Sequence, residues 1–219
     1  MKRFLSLLVV VATLAACQTK IFNDLPQTGN NRPIVPARLV AGDNTLYITD
    51  YLPEWEKIDS ITSNELTVAP IVEDWSEFRV TAPEGTGVAT FEVWNDGRSL
   101  SVVALMGASN DVNRIFSVSQ MMHVVAVETT EEVDQIVAMW QNCRLPEACI
   151  IRNDKGFEVI IPKDATEQEQ SFLRVYAANG EARFNDLMIP LVDGKVVREA
   201  AQLSRHHREA QVLYSLMID

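Results

Sequence analysis

The chain has 219 residues, 47% of them hydrophobic, and a formal net charge of −11. That length suits one or two domains, and an acidic chain is a poor partner for nucleic acid, whose affinity comes from neutralised phosphates. Beyond the first residues, no apolar run is long enough to cross a bilayer as a helix.

Lys2 and Arg3 precede an apolar run from Phe4 to Ala16, which ends in small residues at Leu14-Ala15-Ala16-Cys17. A run this short is a secretory segment and not a span. A cysteine directly after Leu-Ala-Ala is what a bacterial lipoprotein signal needs, because the thiol is acylated and becomes the new N-terminus. The alternative is an ordinary signal peptide with a Cys beside its cleavage site. We read residues 1–16 as a lipoprotein signal and Cys17 as the lipidated residue. The lipid bilayer is then a partner, and the location is a bacterial outer membrane, on its periplasmic face or at the cell surface. Cleavage removes two positive charges and leaves the mature chain at −13.

Residues 17–37 are polar and broken by Pro26, Gly29, Pro33 and Pro36. Without apolar periodicity they read as a flexible tether. Residues 38–110 then show short alternating runs with turn punctuation: Thr45–Thr49, Glu65–Ala69, Phe78–Ala82, Val88–Trp94 and Ser99–Met106. Asn95-Asp96-Gly97 between the last two is a hairpin signal, since glycine supplies the positive φ that primed turns require. Six or so strands spaced this way predict an immunoglobulin-like sandwich.

A small, polar stretch from Gly107 to Asp111 marks the boundary to a second domain, residues 111–198. Its predicted strands are Met122–Val127, Phe157–Ile161, and a hairpin of Ser171–Ala177 with Phe184–Val192 around Asn179-Gly180. A short last strand at Lys195–Val197 follows Asp193-Gly194. Residues 132–140 fit either a helix face (Val133, Ile136, Val137, Trp140) or a strand face (Ile136, Ala138, Trp140); the all-β surroundings favour the strand. The fold class is therefore all-β: two tandem immunoglobulin-like sandwiches after a lipoprotein signal and tether.

Cys143 and Cys149 lie in a compartment where disulfides survive. A bridge between them would add roughly 2 kcal/mol; two buried thiols on neighbouring strands is the other reading. Zinc does not fit, because five intervening residues exceed the usual ligand spacing and no His or second Cys pair lies nearby. His206 and His207 are adjacent and point about 100° apart on a helix, which does not make a metal pair. His123 reads as a core or edge residue of a strand. Glu54, Glu56, Glu73, Asp74 and Glu77 cluster around Trp55 and Trp75, but nothing fixes the separation that glycoside hydrolysis demands, so they read as a charged solvent face. Trp55, beside Pro53, is the candidate for stacking on a sugar ring. No catalytic residue, metal site or cofactor is predicted in this chain.

Residues 199–219 read as a linker and the start of a further, barrel domain. Val212–Ile218 is almost continuously apolar, as suits a strand buried on both faces, and we expect the chain to be truncated within it. Val212-Leu-Tyr-Ser-Leu-Met-Ile-Asp219 resembles the first barrel strand of α-amylase-family glycoside hydrolases, where such a strand runs into Asp-Arg-Phe. Asn185–Lys195 and Ala138–Asn142 are similar to the sandwich that precedes the barrel in lipoprotein neopullulanase- and cyclomaltodextrinase-like enzymes. The resemblance implies a parent enzyme that cleaves α-1,4-glucosidic bonds of starch-derived glucans with retention, its catalytic carboxylates lying on later barrel strands. It places Tyr214 and Asp219 beside that active site. The sandwiches would position the barrel and aid glucan binding or homodimerisation; the alternative is a stand-alone lipoprotein that binds a glycan or a protein.

Overall fold

The computed structural model describes residues 33–52, 57–199 and 202. Among these, β1 (Ala37–Leu39), β2 (Gly42–Tyr47), β3 (Ser60–Thr62), β4 (Thr67–Pro70), β5 (Glu77–Ala82), β6 (Gly87–Asn95) and β7 (Arg98–Met106) build the first domain. The second holds β8 (Ile115–Met121), β9 (Val124–Thr129), β10 (Gln135–Trp140), β11 (Cys143–Arg144), β12 (Ile150–Asn153), β13 (Gly156–Ile160), β14 (Gln170–Ala178), β15 (Leu187–Val192) and β16 (Lys195–Val196).

Each domain is a sandwich of two sheets. In the first, β2-β5-β4 faces β1-β7-β6-β3; in the second, β12-β13-β9-β8 faces β11-β10-β14-β15-β16. Second, fifth and fourth strands in one sheet, with third, sixth and seventh in the other, is the immunoglobulin order. In the second domain β8 to β15 repeat it, with the short β11 added beside β10. All pairs are antiparallel except β1 with β7, which is parallel and matches Ala37 to Ala104.

Alternation fills the two cores. In the first, Phe91 meets Phe78 edge-on, with centroids 5.5 Å apart, and Tyr51 at 6.1 Å. The second is built around Phe157, Leu173, Ile161 and Phe184. The predicted Asp-Gly turns are present: Asp96 and Gly97 have φ of 49° and 72°, Asp193 and Gly194 have 48° and 72°, the positive pair that a type I′ hairpin needs.

Several boundaries differ from those predicted. Ile34 and Ala37, placed in the tether on the strength of their proline neighbours, are buried in the first core, because Pro33 and Pro36 favour an extended backbone that can lie along a sheet edge. The predicted strand at Met122 is cut by a turn: Met122 (φ 56°) and His123 link β8 to β9. β8 and β12 were not predicted; both are edge strands, with little of the alternation that a half-buried strand carries. The segment around Val133–Trp140 is a strand, β10.

The inner sheets are buried on both faces. In β6 and β7, Ala89, Phe91, Val93, Leu100, Val102 and Ala104 face their own core. Val88, Val103 and Leu105 pack instead against Val137, Met139, Tyr176 and Ala178 of the second domain. The molecule is thus a stack of four sheets, with the two inner ones in direct contact.

Candidate functional site

The seam between the inner sheets has an apolar half and a polar half. The apolar half is the cluster just named. The polar half begins at Glu92, which stands opposite Ser101 in the β6–β7 pair. Ser101 Oγ donates to Glu92 Oε2 at 2.6 Å and accepts from the Arg144 amide at 2.9 Å. The Ser101 amide donates to the Asn142 carbonyl at 2.8 Å, so one serine ties β7 to the β10–β11 turn.

Arg144 returns the connection. Its Nη1 donates to Thr90 Oγ1 at 2.9 Å and to Glu65 Oε1, while Glu65 Oε2 accepts the Thr90 amide at 3.1 Å. Burial pushes the Glu92 carboxyl above its ordinary range. Ser101, Arg144 and Thr90 pull it down and Glu65 pushes it further up, but burial dominates. Buried polar groups are tolerated where they are bonded, and here the bonds come from both domains.

Further ties flank the seam. Asn142 Oδ1 accepts the Ile34 amide at 3.1 Å, and Arg174 Nη1 donates to the Ile34 carbonyl at 2.5 Å. The Arg174 guanidinium lies 5.1 Å from the Tyr176 ring, whose hydroxyl is pushed up to about 12, chiefly by burial. At the opposite end Gln135 Oε1 accepts the Val88 amide at 3.0 Å. A Cβ on Gly87 would stand 2.6 Å from that oxygen, so a larger residue there would displace the Gln135 side chain. Arg183, buried, donates through Nε to the Gly107 carbonyl at 3.2 Å and fixes the interdomain connection.

Beside the seam lies an open cleft of about 320 Å³. Its polar lining is Glu65, Asp134, Gln135, Arg144, Glu147 and Arg152, and its apolar lining includes Leu66, Pro83, Met106 and Ile136. Walls from two domains are a common setting for a ligand site.

Cys17, Trp55, His206, His207, Tyr214 and Asp219 lie outside the described residues, as do Glu54 and Glu56. Cys143, in β11, and Cys149, ending the turn Glu147–Cys149, are both buried in the second domain. Glu73 and Asp74 are exposed, and Trp75 packs half-buried on the first core at a φ of 63°. Asp74 accepts the Ser76 amide at 2.9 Å, and its hydrogen bonds to Ser76 hold its carboxyl below the usual range. Among the described residues, no group of three or more His, Cys, Asp or Glu side chains is placed to hold a metal ion, and no helix is long and apolar enough to cross a membrane.

The seam residues were not predicted. Glu92 occupies a polar place in an alternating strand, which reads as solvent-facing, and Glu65 and Arg144 are 79 positions apart. A weak signal did exist. The run Val102-Val103-Ala104-Leu105-Met106 is apolar without alternation, as a strand covered on both sides should be.

No family model matches the chain, and no curated protein matches it in sequence. Among solved structures, a chimeric titin Z1Z2 pair is 12% identical, with 77% of this chain and 96% of that one covered and a TM-score of 0.30. The N-terminal Ig1-2 module of the Drosophila receptor protein tyrosine phosphatase DLAR is 11% identical over 74% and 95%, with a TM-score of 0.27. An endo-fucoidan hydrolase of glycoside hydrolase family 107 is 13% identical over 76% of this chain and 29% of that one, with a TM-score of 0.26. At these values the fold assignment rests on the strand order itself.

Proposed function

We propose that this pair of immunoglobulin-like sandwiches is the membrane-proximal, non-catalytic front of a lipid-anchored α-amylase-like glycoside hydrolase of a bacterial outer membrane. Cys17 carries the lipid, the two sandwiches form the spacer, and a barrel acting on starch-derived α-glucans follows. The observation that carries the spacer role is the seam. Val88, Val103 and Leu105 buried against Val137, Met139, Tyr176 and Ala178 hold the two sandwiches in one orientation, as a platform for a following domain requires. The nature of that domain is supported by the likeness of Val212–Asp219 to a first barrel strand.

The alternative, a stand-alone lipoprotein that binds a glycan or a protein, is favoured by the cleft at the seam. The size of the native protein separates the two. A barrel adds roughly 250 residues, so an antibody raised to this chain should detect a band of more than twice its 24.5 kDa in a lysate of the source bacterium. A band at the mass of this chain overturns the enzyme reading and leaves the binding lipoprotein. Cys17→Ser should release the protein from membranes; a variant that still floats with lipid overturns the anchor.

A further inference from the structure

We infer that the cleft beside the seam is a binding site for a neutral, hydroxyl-rich ligand, the size of one or two sugar rings. The inference goes beyond the spacer role, and it stands on the cleft alone.

Glu65 spends both carboxylate oxygens, on the Thr90 amide and on Arg144, but other polar groups of the lining are held in place and, among the described residues, keep a further atom for a ligand. Gln135 spends Oε1 on the Val88 amide and keeps its NH₂. Asp134 accepts the Gly180 amide on Oδ2 and keeps Oδ1. Arg152 donates Nη1 to the Val133 carbonyl and Nη2 to Glu147 Oε1 at 3.3 Å, which leaves Nε and the second Glu147 oxygen. Arg144 uses Nη1 alone on Thr90 and Glu65, and a guanidinium has five donors. Donors and acceptors are therefore fixed in place before anything binds, which lowers the ordering cost of binding.

The mixture of groups selects the ligand. Three carboxylates and two guanidinium groups share the lining, so the site has one excess negative charge. A strongly anionic ligand is repelled, and a cation would compete with arginines already paired to Glu65 and Glu147. A vicinal diol suits the arrangement, because each hydroxyl both donates and accepts. Among the polar groups, Pro83 and the edges of the buried Leu66, Met106 and Ile136 add apolar lining that suits the C–H face of a ring. At about 320 Å³ the cleft lies at the small end of ligand sites, which limits the occupant to a ring or two.

The test is a titration of the whole 219-residue chain, carrying Cys17→Ser to keep it in solution, with maltotriose, cellotriose and laminaritriose. It is followed by NMR at the Gln135 side-chain amide and the Arg144 and Arg152 Nε–H signals. Saturable shifts at these signals with at least one sugar, with a Kd on the order of 1 mM, are expected. Arg152→Ala, at a partly exposed position outside the seam, should weaken binding by about tenfold, as the loss of one charge-assisted bond implies. Trigalacturonate should shift the same signals less. No saturable change with any of the three sugars overturns the site. So does binding that Arg152→Ala leaves intact in a variant whose spectrum shows the native fold.

Discussion

Glu92 accepts the Ser101 hydroxyl at 2.6 Å within a seam where both residues are covered by the opposite domain. The pair joins neighbouring strands of one sheet, yet its surroundings come from two domains. Arg144 supplies the compensating charge and Glu65 opposes it. A carboxyl so placed makes the stability of the whole stack depend on pH.

Burial raises the Glu92 pKa above its unfolded value, so Glu92 favours the folded state fully below the unfolded value of about 4.3. That contribution is lost as pH rises through the folded value. Glu92→Gln removes it. The difference in Tm between Glu92→Gln and wild type should therefore grow in favour of the variant from pH 4 to pH 8, as followed by circular dichroism. A difference that is flat or shrinks with pH would refute the assignment.

Arg144 is the partner that moderates this cost. Arg144→Met withdraws the bonds to Glu65 and Thr90 and should destabilise the protein by about 1–3 kcal/mol at pH 7. The loss should be smaller at pH 4, where Glu92 no longer needs a counter-charge. Urea unfolding at the two pH values checks both parts.

The apolar half of the seam, where Val88, Val103 and Leu105 pack on Val137, Met139, Tyr176 and Ala178, should couple the melting of the two domains. Wild type should unfold in one calorimetric transition. Leu105→Ala, which opens a cavity between the inner sheets, should cost about 2–5 kcal/mol. Combined with Tyr176→Ala, it should split the transition into two. Two transitions already present in wild type would mean that the seam contributes little.

Phe91 is fully buried and touches both Phe78 and Tyr51. Phe91→Ala should lower stability by about 3–5 kcal/mol, measured by denaturant titration, and should leave the second domain's own contacts untouched.

Two glycines with positive φ separate backbone strain from crowding. Gly97 (φ 72°) has open space where a Cβ would stand, whereas at Gly156 (φ 143°) that atom would lie 2.2 Å from the Val127 carbonyl oxygen. Gly97→Ala should cost about 1 kcal/mol, the left-handed penalty alone. Gly156→Ala should cost clearly more, because the β9–β13 pairing must also shift. Equal losses would contradict the geometry.

The parts of the fold visible in the sequence are those set by near neighbours. Asn95-Asp96-Gly97 announces its hairpin because the turn needs a particular φ at Asp96 and Gly97, and in Val88–Trp94 the alternate places Ala89, Phe91 and Val93 face the core of their own domain. What escaped is long-range or lacks alternation. Ile34 finds the first core through partners at Asn142 and Arg174, more than a hundred positions away. Glu92 looks like a surface residue until a second sheet covers it. The cleft escaped for the same reason: Glu65 and Arg152 are polar residues in loops and edge strands, and only the docking of the two sandwiches brings them to one cleft.

The parallel pairing of β1 with β7 determines how the protein bears mechanical load. A pull arriving through residue 33 meets the ties of Ile34 to Asn142 and Arg174 and then the N-terminal end of β1, while the chain continues to the second sandwich from the C-terminal end of β7 at Met106. In a parallel pair those two ends lie at opposite ends of the ladder. The strands are therefore driven past each other along their length, and the bonds between Ala37–Leu39 and Ala104–Met106 are strained together and not opened one at a time. A short edge strand that would peel easily under an antiparallel arrangement becomes a shear joint.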